Sequence, residues 1–512
     1  MSSITNFELT NKDIKILKEK KIKPYKNIDY SKLVVRKPWG YEYLIYQSKD
    51  VAVWILYIKK NKDVILVEEG SHYKIDHFKG SIADSFSKVW RNSGVTPILG
   101  NPSFGYGEGM CLGGGTYING GLIYRTADTV LQDWEQRLKS KIYSKENLKP
   151  IFEKIEKNLN VTVEKNEIDK NKDSQILFDI SKKNNIKCVN VRRAIKNCER
   201  NNKCTTGCVS GAKQSTLQTY IYPAAEKGLR ILTNTRAEKI LLKNNKPFKL
   251  KVKKDQKYFN IKFNNIVLAC GPIQTPLLIK KSFNNSSLKS RMYVHHNLRL
   301  NVIFNNPLNS EIGTIFTRQI QEYINDGVLF SASNFDKSYL FSGLNNLNSN
   351  QYEFLKENIN FLGTYLLQIK ATNEVKIFNF NNIPILHYNL SESDFIKIKK
   401  YLLLFSKMMF EVGAKKIYLP FSNNYETKNI DEVKRSLDLN KIKNLDMVSV
   451  HGMSSARMSP NNTANGFFNI EGRSFEYENL YCVDASILPT STIESPQGSI
   501  MALSHSIIER NF

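Results

Sequence analysis

The stretch SVHGMSSARMS (449–459) sets one histidine in a loop, and ENLYCVDASILPTSTIESPQGSIMALSHSII (478–508) follows it. The second stretch reads as a strand ending at Asp484, a loop, and a helix that starts at Pro496 and Gln497. A carboxylate at the carboxyl end of a strand stands where an α/β sheet binds its ligands. A helix N-terminus offers unpaired N–H groups and the positive end of a dipole. Those groups suit an electron-rich cofactor ring, above all one that becomes anionic on reduction. His451, whose side chain ordinarily titrates near neutrality, would accept the proton of an alcohol as hydride leaves its carbon. A structural loop histidine is the commoner role for such a residue, and residue type leaves both readings open.

Two other groups of residues invite chemistry. Cys198, Cys204 and Cys208 are spaced C-x5-C-x3-C, with Cys188 upstream. The paired Cys-x2-Cys spacing of zinc sites is missing, so buried or redox-sensitive thiols are expected there and no metal. GYGEGMCLGGGTYINGG (105–121) holds eight of the chain's 26 glycines. Such density points to backbone packed closely against something that offsets its cost in order.

The elements that must position these residues follow from pattern. Residues 1–32 are polar and lysine-rich. The apolar runs 41–46 and 51–58 suit strands, and DVILV (63–67) is a short buried strand ending in Glu68. Helices are expected over 130–160 and 211–228, alternating strands and turns over 230–270, and mostly short strands over 290–390. Ser391 caps a helix that Gly413 stops, and the last helix starts near 497.

Composition narrows the class. With 512 residues, 41% hydrophobic and 24% charged, the chain is globular and long enough for two or more domains. Its net charge of +26 is spread along the sequence and accompanies no nucleic-acid motif, so no nucleic-acid partner is expected. The N-terminus has no apolar signal stretch and no run is long enough for a transmembrane segment. Together with an odd count of seven cysteines, this gives the expectation of a cytoplasmic protein with reduced thiols.

Several blocks in order resemble the glucose–methanol–choline (GMC) oxidoreductases, FAD-dependent alcohol oxidases and dehydrogenases. The blocks are DVILVEEG, GGGTYINGGLIYR (113–125) with Trp134 beyond it, CTTGCVSGAKQSTLQTYIYPAAEKGLRILTNTRAEKI (204–240), IVLACGPIQTPLLIKKS (266–282), HGMSSARM and NLYCVDASILPTS…SPQGSIMAL, spanning about 63–512. The resemblance implies roles position by position. Glu68 would bind the adenosine ribose, and Gly114, Gly115, Thr116 and Asn119 would line the flavin and pyrophosphate. Ala237 would meet the adenine, Gly271 would lie along the cofactor, and Asp484 and Ala485 would hold its ribityl and phosphate region. Pro496 and Gln497 would sit near the flavin ring, and His451 would be the catalytic base. The family's second polar partner, often His or Asn, is Ser495 here, a hydrogen-bonding group but a poorer base. Ile118 stands where some members attach flavin through His, so the FAD would be non-covalent.

The resemblance implies a mixed α/β fold, a Rossmann-like FAD-binding domain with an antiparallel-sheet substrate domain. The expected boundaries are 1–62 for an N-terminal segment, 63–285 and 446–512 for the FAD-binding domain, and 286–445 for the substrate domain. The nucleotide fold looks N-terminally incomplete. Aligning YEYLIY with its first strand puts Gln47, Lys49 and Ala52 where glycines belong, and a left-handed turn at a non-glycine costs about 1–2 kcal/mol. VRKPWGYEYLIYQSKDVAVWILYIKKNK (35–62) instead resembles the opening strands of a sugar-phosphate-isomerase-like cupin. The expectation is a splice: a cupin-like β-hairpin at 41–60 joined to a body that has lost its first strand, glycine loop and helix. A strand followed by a helix would mean drift in an intact fold. The missing loop implies weak FAD binding, with Lys49, Lys59 or Lys60 as substitute phosphate contacts. The implied reaction is oxidation of CH–OH on an alcohol or sugar-like substrate, with hydride to flavin N5 and an unspecified electron acceptor. A non-catalytic remnant that binds FAD poorly is the alternative.

Overall fold

The computed structural model describes the backbone of 41–47 and residues 63–74, 77–78, 81–163, 171–283, 288–333, 349–380, 383–422, 426–462 and 466–512. Two sheets organise them. In the first, a parallel layer runs in the order Arg230–Leu232, Val64–Glu68, Tyr41–Gln47, Lys257–Ala269 and Leu480–Cys482. A parallel layer covered on both faces needs apolar residues at every position. Val64–Glu68 is buried throughout. The Lys257–Ala269 strand shows both regimes within one element. Up to Phe263 it alternates between exposed and buried, while its early residues pair antiparallel with Lys246–Lys254. From Ile266 it is continuously buried and runs parallel to Tyr41–Gln47.

The position of Tyr41–Gln47 overturns the splice. This strand pairs parallel with Val64–Glu68 on one side (Tyr43 opposite Val64, Gln47 opposite Glu68) and with Lys257–Ala269 on the other. It is therefore the central first strand of the parallel layer, and the cupin-like hairpin finds no support. The sheet joins residues from both sides of the boundary expected at 62. Lys49, Ala52, Lys59 and Lys60, and the strand expected over 51–58, lie outside the described residues.

Among the described residues the second sheet has thirteen strands. Its centre is one long strand, Arg291–Phe304, where short strands were expected. Leu362–Lys370 pairs antiparallel along it, from His295 opposite Lys370 to Ile303 opposite Leu362. Val448–Ser449 and Gly452–Met453 pair on its other edge. Side chains alternate across a strand. Met292, Val294, Leu298, Leu300 and Val302 enter a core shared with Phe395, Ile398, Leu402 and Phe405 of the Glu392–Glu411 helix. Ser391 Oγ caps that helix by accepting from Asp394 N at 3.1 Å, and Gly413 follows its end with φ +94°. His295, Asn297 and Arg299 fall on the opposite face. Strands Thr96–Asn101 and Cys188–Asn190 also belong to this sheet, so the first two-thirds of the chain contributes to both layers.

No helix among the described residues is long and apolar enough to cross a membrane. Among the described residues no disulfide joins the seven cysteines.

Candidate active site

A cavity of about 190 Å³ opens between the two sheets. One wall comes from the glycine-rich loop, through Gly107, Gly109, Gly115 and Asn119. A second comes from the turn before the last helix, through Ser495, Pro496 and Gln497, with Ala485 behind it. The third is the face of the second sheet turned away from its helix-packed core, through Asn297, Gln319, Ser331 and Gln368.

His451 reaches this cavity from the short link between Val448–Ser449 and Gly452–Met453. The link lies tight against its neighbours. A Cβ on Gly452 would stand 2.6 Å from Tyr106 Oη and 2.8 Å from Pro272 Cγ, so the residue after the histidine has no room for a side chain. His451 Nε2 is 3.3 Å from Ser495 Oγ. Its Nδ1 is 3.0 Å from His295 Nδ1, and His295 Nε2 is 2.9 Å from the Thr492 carbonyl. His295 is fully buried, and that burial pushes its pKa down to about 4 and favours the neutral ring at neutral pH. The two rings meet edge to face at 5.0 Å between centroids.

The strand end at Asp484 lies next to Ala485 of the cavity lining. Asp484 Oδ2 accepts from Gly271 N at 2.9 Å and from Thr275 Oγ1 at 2.5 Å, and its Oδ1 accepts from Ser486 N at 2.7 Å. Both oxygens thus cap turns. Neither Asp484 nor Gly271 lines the cavity, whereas Ala485, next in the chain to Asp484, does. Thr116 plays a similar part. Its buried hydroxyl donates to Gly113 O at 2.7 Å and lies 2.8 Å from Thr216 Oγ1, which pins the turn containing Gly114. Asn119 joins loop to helix, since its amide donates to Gln497 Oε1 and its Oδ1 accepts from Gly121 N at 2.9 Å. Ile118 also lines the cavity.

Glu68 and Ala237 lie away from this cavity. Glu68, at the carboxyl end of its strand, is wholly buried, and burial raises its pKa well above the usual carboxylate range. Its Oε1 accepts from Gly70 N at 2.6 Å, and its Oε2 has no partner among the described residues. Ala237 lines a smaller cleft with Gln274, Lys281 and Asn379. Among the described residues no group of three or more His, Cys, Asp or Glu converges as metal ligands would. Burial raises the pKa of the Cys204 thiol, which accepts from Arg193 at 3.4 Å.

Sequence reasoning missed the second sheet's contribution: His295, and the polar wall made by Asn297, Arg299, Gln319, Ser331 and Gln368. The signal was present in HHNLRL (295–300), where polar residues at 295, 297 and 299 alternate with apolar ones at 298 and 300. Asn297 Oδ1 and Ser333 Oγ are buried beside the cavity with no partner among the described residues.

Family models described as GMC oxidoreductase match residues 86–302 and 379–504, together more than half of the chain. A GMC-type oxidoreductase of Sinorhizobium fredii, itself uncharacterised, is 24% identical over 459 residues, covering 87% of this chain and 89% of that one. A long-chain-alcohol oxidase of Arabidopsis thaliana is 23% identical over 509 residues, covering 88% of this chain and 65% of that protein. Among solved structures, pyridoxine 4-oxidase from Mesorbium loti superposes with a TM-score of 0.70 at 12% identity, covering 92% of this chain and 99% of that one. Formate oxidase superposes with a TM-score of 0.68 at 10% identity, covering 92% and 97%.

Proposed function

Because the chain belongs to the GMC oxidoreductase family, we propose that it oxidises the CH–OH group of a small polar alcohol or sugar-like substrate, with FAD as cofactor and His451 as base. The observation that carries this reading is His451 Nε2 facing a cavity bounded by the glycine-rich loop and the Pro496–Gln497 turn.

The residues present fit FAD. Glu68 is a buried carboxylate with one unpartnered oxygen at a strand end, where a ribose hydroxyl would satisfy it. Gly107, Gly109 and Gly115 leave the loop wall free of side-chain bulk. The N–H groups that open the last helix, at Gln497 and beyond, favour negative charge on a ring held against them. Bound there, FAD would supply a two-electron acceptor for the hydride. Ile118 in place of a histidine leaves it non-covalent, and the absence of glycine at Gln47, Lys49 and Ala52 makes its hold weak.

The chain's own groups do the rest. His451 Nε2 takes the hydroxyl proton of the substrate as the C–H hydride departs. Ser495 orients that hydroxyl as donor or acceptor. Asn297, Arg299, Gln319, Ser331 and Gln368 present hydrogen-bonding groups to the remainder of the substrate. Asn297 Oδ1 and Ser333 Oγ have no partner among the described residues, and an alkyl chain against them would leave them so at about 1–3 kcal/mol each, so the wall favours a substrate with further oxygens over a long-chain alcohol.

The test is purification of the full chain, reconstitution with excess FAD, and anaerobic reduction by polyols, sugar alcohols and long-chain alcohols. The expected outcome is acid-releasable flavin that polar alcohols bleach faster than aliphatic ones. A chain that takes up no flavin, or whose flavin no alcohol reduces, is instead the non-catalytic remnant.

A further inference from the structure

The residue behind the proposed base carries a chemical constraint that can be followed atom by atom. Thr492 O is a carbonyl and only accepts, so the His295 nitrogen 2.9 Å from it, Nε2, must carry the ring's hydrogen. Ser491 Oγ, 3.4 Å from the same nitrogen, donates its own hydrogen to Thr492 O at 2.9 Å and leaves that assignment unchanged. His295 is neutral, so its Nδ1 is then bare. The nitrogen facing it at 3.0 Å, His451 Nδ1, must be the donor. A neutral His451 with hydrogen on Nδ1 has its lone pair on Nε2, the atom that faces Ser495 and the cavity.

We infer that His295 is a positioning residue that fixes the tautomer of His451, with Thr492 O as its anchor, so that the proton-accepting nitrogen always points at the substrate. This rests on the oxidation reading only for its consequence in turnover; the tautomer follows from the geometry of Thr492, His295 and His451 together with the burial that holds His295 neutral. The two bonds of the relay, His451 Nδ1–H to His295 Nδ1 and His295 Nε2–H to Thr492 O, persist when His451 is protonated, because Nδ1–H is then still the donor. The relay therefore needs no rearrangement during proton uptake.

The surroundings keep His295 in this role. Burial is the main force against its charged form, and Lys370, opposite it on the neighbouring strand, and His296, next in the chain, add to it. Glu494, buried in the turn beyond Thr492, acts on Lys370 and has its own pKa raised to about 7 by burial. Thr492 is held in turn, since its hydroxyl donates to Glu494 O at 2.7 Å. His295 sits on the longest strand of its sheet, so the acceptor is placed by sheet register and not by a loop.

The experiment is nitrogen-15 NMR of the full chain carrying imidazole-labelled histidine at pH 8, with His451 assigned by its loss in His451→Asn. The expected wild-type spectrum has the His451 hydrogen on Nδ1 and a bare Nε2. In His295→Phe, which removes the acceptor, that preference is lost. With a substrate in hand, kcat falls on the order of 10- to 100-fold while KM stays within about twofold, and the acid limb of the kcat profile moves. His295→Gln recovers part of the rate, because its amide both accepts from His451 and donates to Thr492 O. A wild-type spectrum with the hydrogen on His451 Nε2 would overturn the inference, even if neither variant folds. So would His295→Phe with tautomer and kcat unchanged. A chain with Nδ1–H on His451 but no reducible flavin removes the oxidation reading and leaves this assignment in place.

Discussion

The two sheets present themselves to the cavity in different ways. The parallel layer is apolar through its middle and contributes only beyond its strand ends, through Ala485 after the Asp484 turn and the backbone of the glycine-rich loop. The second sheet contributes from mid-strand, where alternate side chains on Arg291–Phe304 and its neighbours project from one face. A parallel sheet buried on both faces has no polar positions to spare, so its ligand contacts must come from connections. An antiparallel sheet with one face on a core can turn its whole other face to chemistry. Backbone-lined recognition therefore lies on one side of the cavity and side-chain recognition on the other. His451 stands on the seam.

The sharpest break of that comparison is at the seam. His451→Ala should lower kcat by about 10²- to 10⁴-fold while leaving flavin content near wild type, because the base is lost and the backbone cradle is not. Flavin reduction by substrate within twofold of wild type would remove His451 from the mechanism. A smaller effect is expected from crowding the backbone side alone. A Cβ on Gly498 would lie 2.0 Å from Tyr124 O, so the helix or the loop must shift. Alanine's better helix propensity offers about 1 kcal/mol, and overpacking of this kind costs about 1–3 kcal/mol or more. Gly498→Ala should lower the unfolding temperature and release flavin more readily. Unchanged melting and flavin retention would show that this wall is looser than its contacts imply.

The mildest test compares two buried histidines. His295 and His505 both have pKa values pushed down to about 4 by burial, but His295 sits in a relay and His505 has neither ring nitrogen partnered among the described residues. His505 packs against Tyr220 at 6.0 Å between centroids. A base with a folded pKa near 4 and an unfolded pKa of 6.5 binds more protons when unfolded. Its stability contribution is intact above pH 6.5 and lost as pH falls toward 4. His505→Leu should therefore gain on wild type by up to ~1.4 kcal/mol per pH unit across that window, and by little at pH 8. Chemical denaturation at pH 8, 6 and 5 measures it. A difference that does not change with pH would mean that His505 is not held neutral.

Much of the fold was legible because each element obeys its local pattern. VILV, the run ending in NNIVLACG, the Ser391 cap and the Pro496 helix start all lie where periodicity and capping chemistry put them. The glycine-rich loop was legible as a close approach, and it does form a cavity wall. Two features escaped. Tyr41–Gln47 was read by its resemblance to an antiparallel hairpin, yet an apolar seven-residue strand is equally suited to the middle of a parallel layer. Only its partners, Val64–Glu68 and Lys257–Ala269, distinguish the two. His295 escaped because a period-2 pattern shows which residues share a face, but not what that face meets.

By itself the sequence determined several of the elements, among them the Val64–Glu68 strand and the helix capped at Ser391, and where the glycines permit close packing. Those are local properties, set by side-chain period, caps and backbone freedom. Tertiary structure alone decided that residue 295 would face residue 451 across 156 positions of chain, which ring nitrogen would carry the hydrogen, and that the first strand would sit at the centre of its sheet. Sheet register and the one-way acceptance of a carbonyl oxygen make those choices, and neither exists until distant strands have paired.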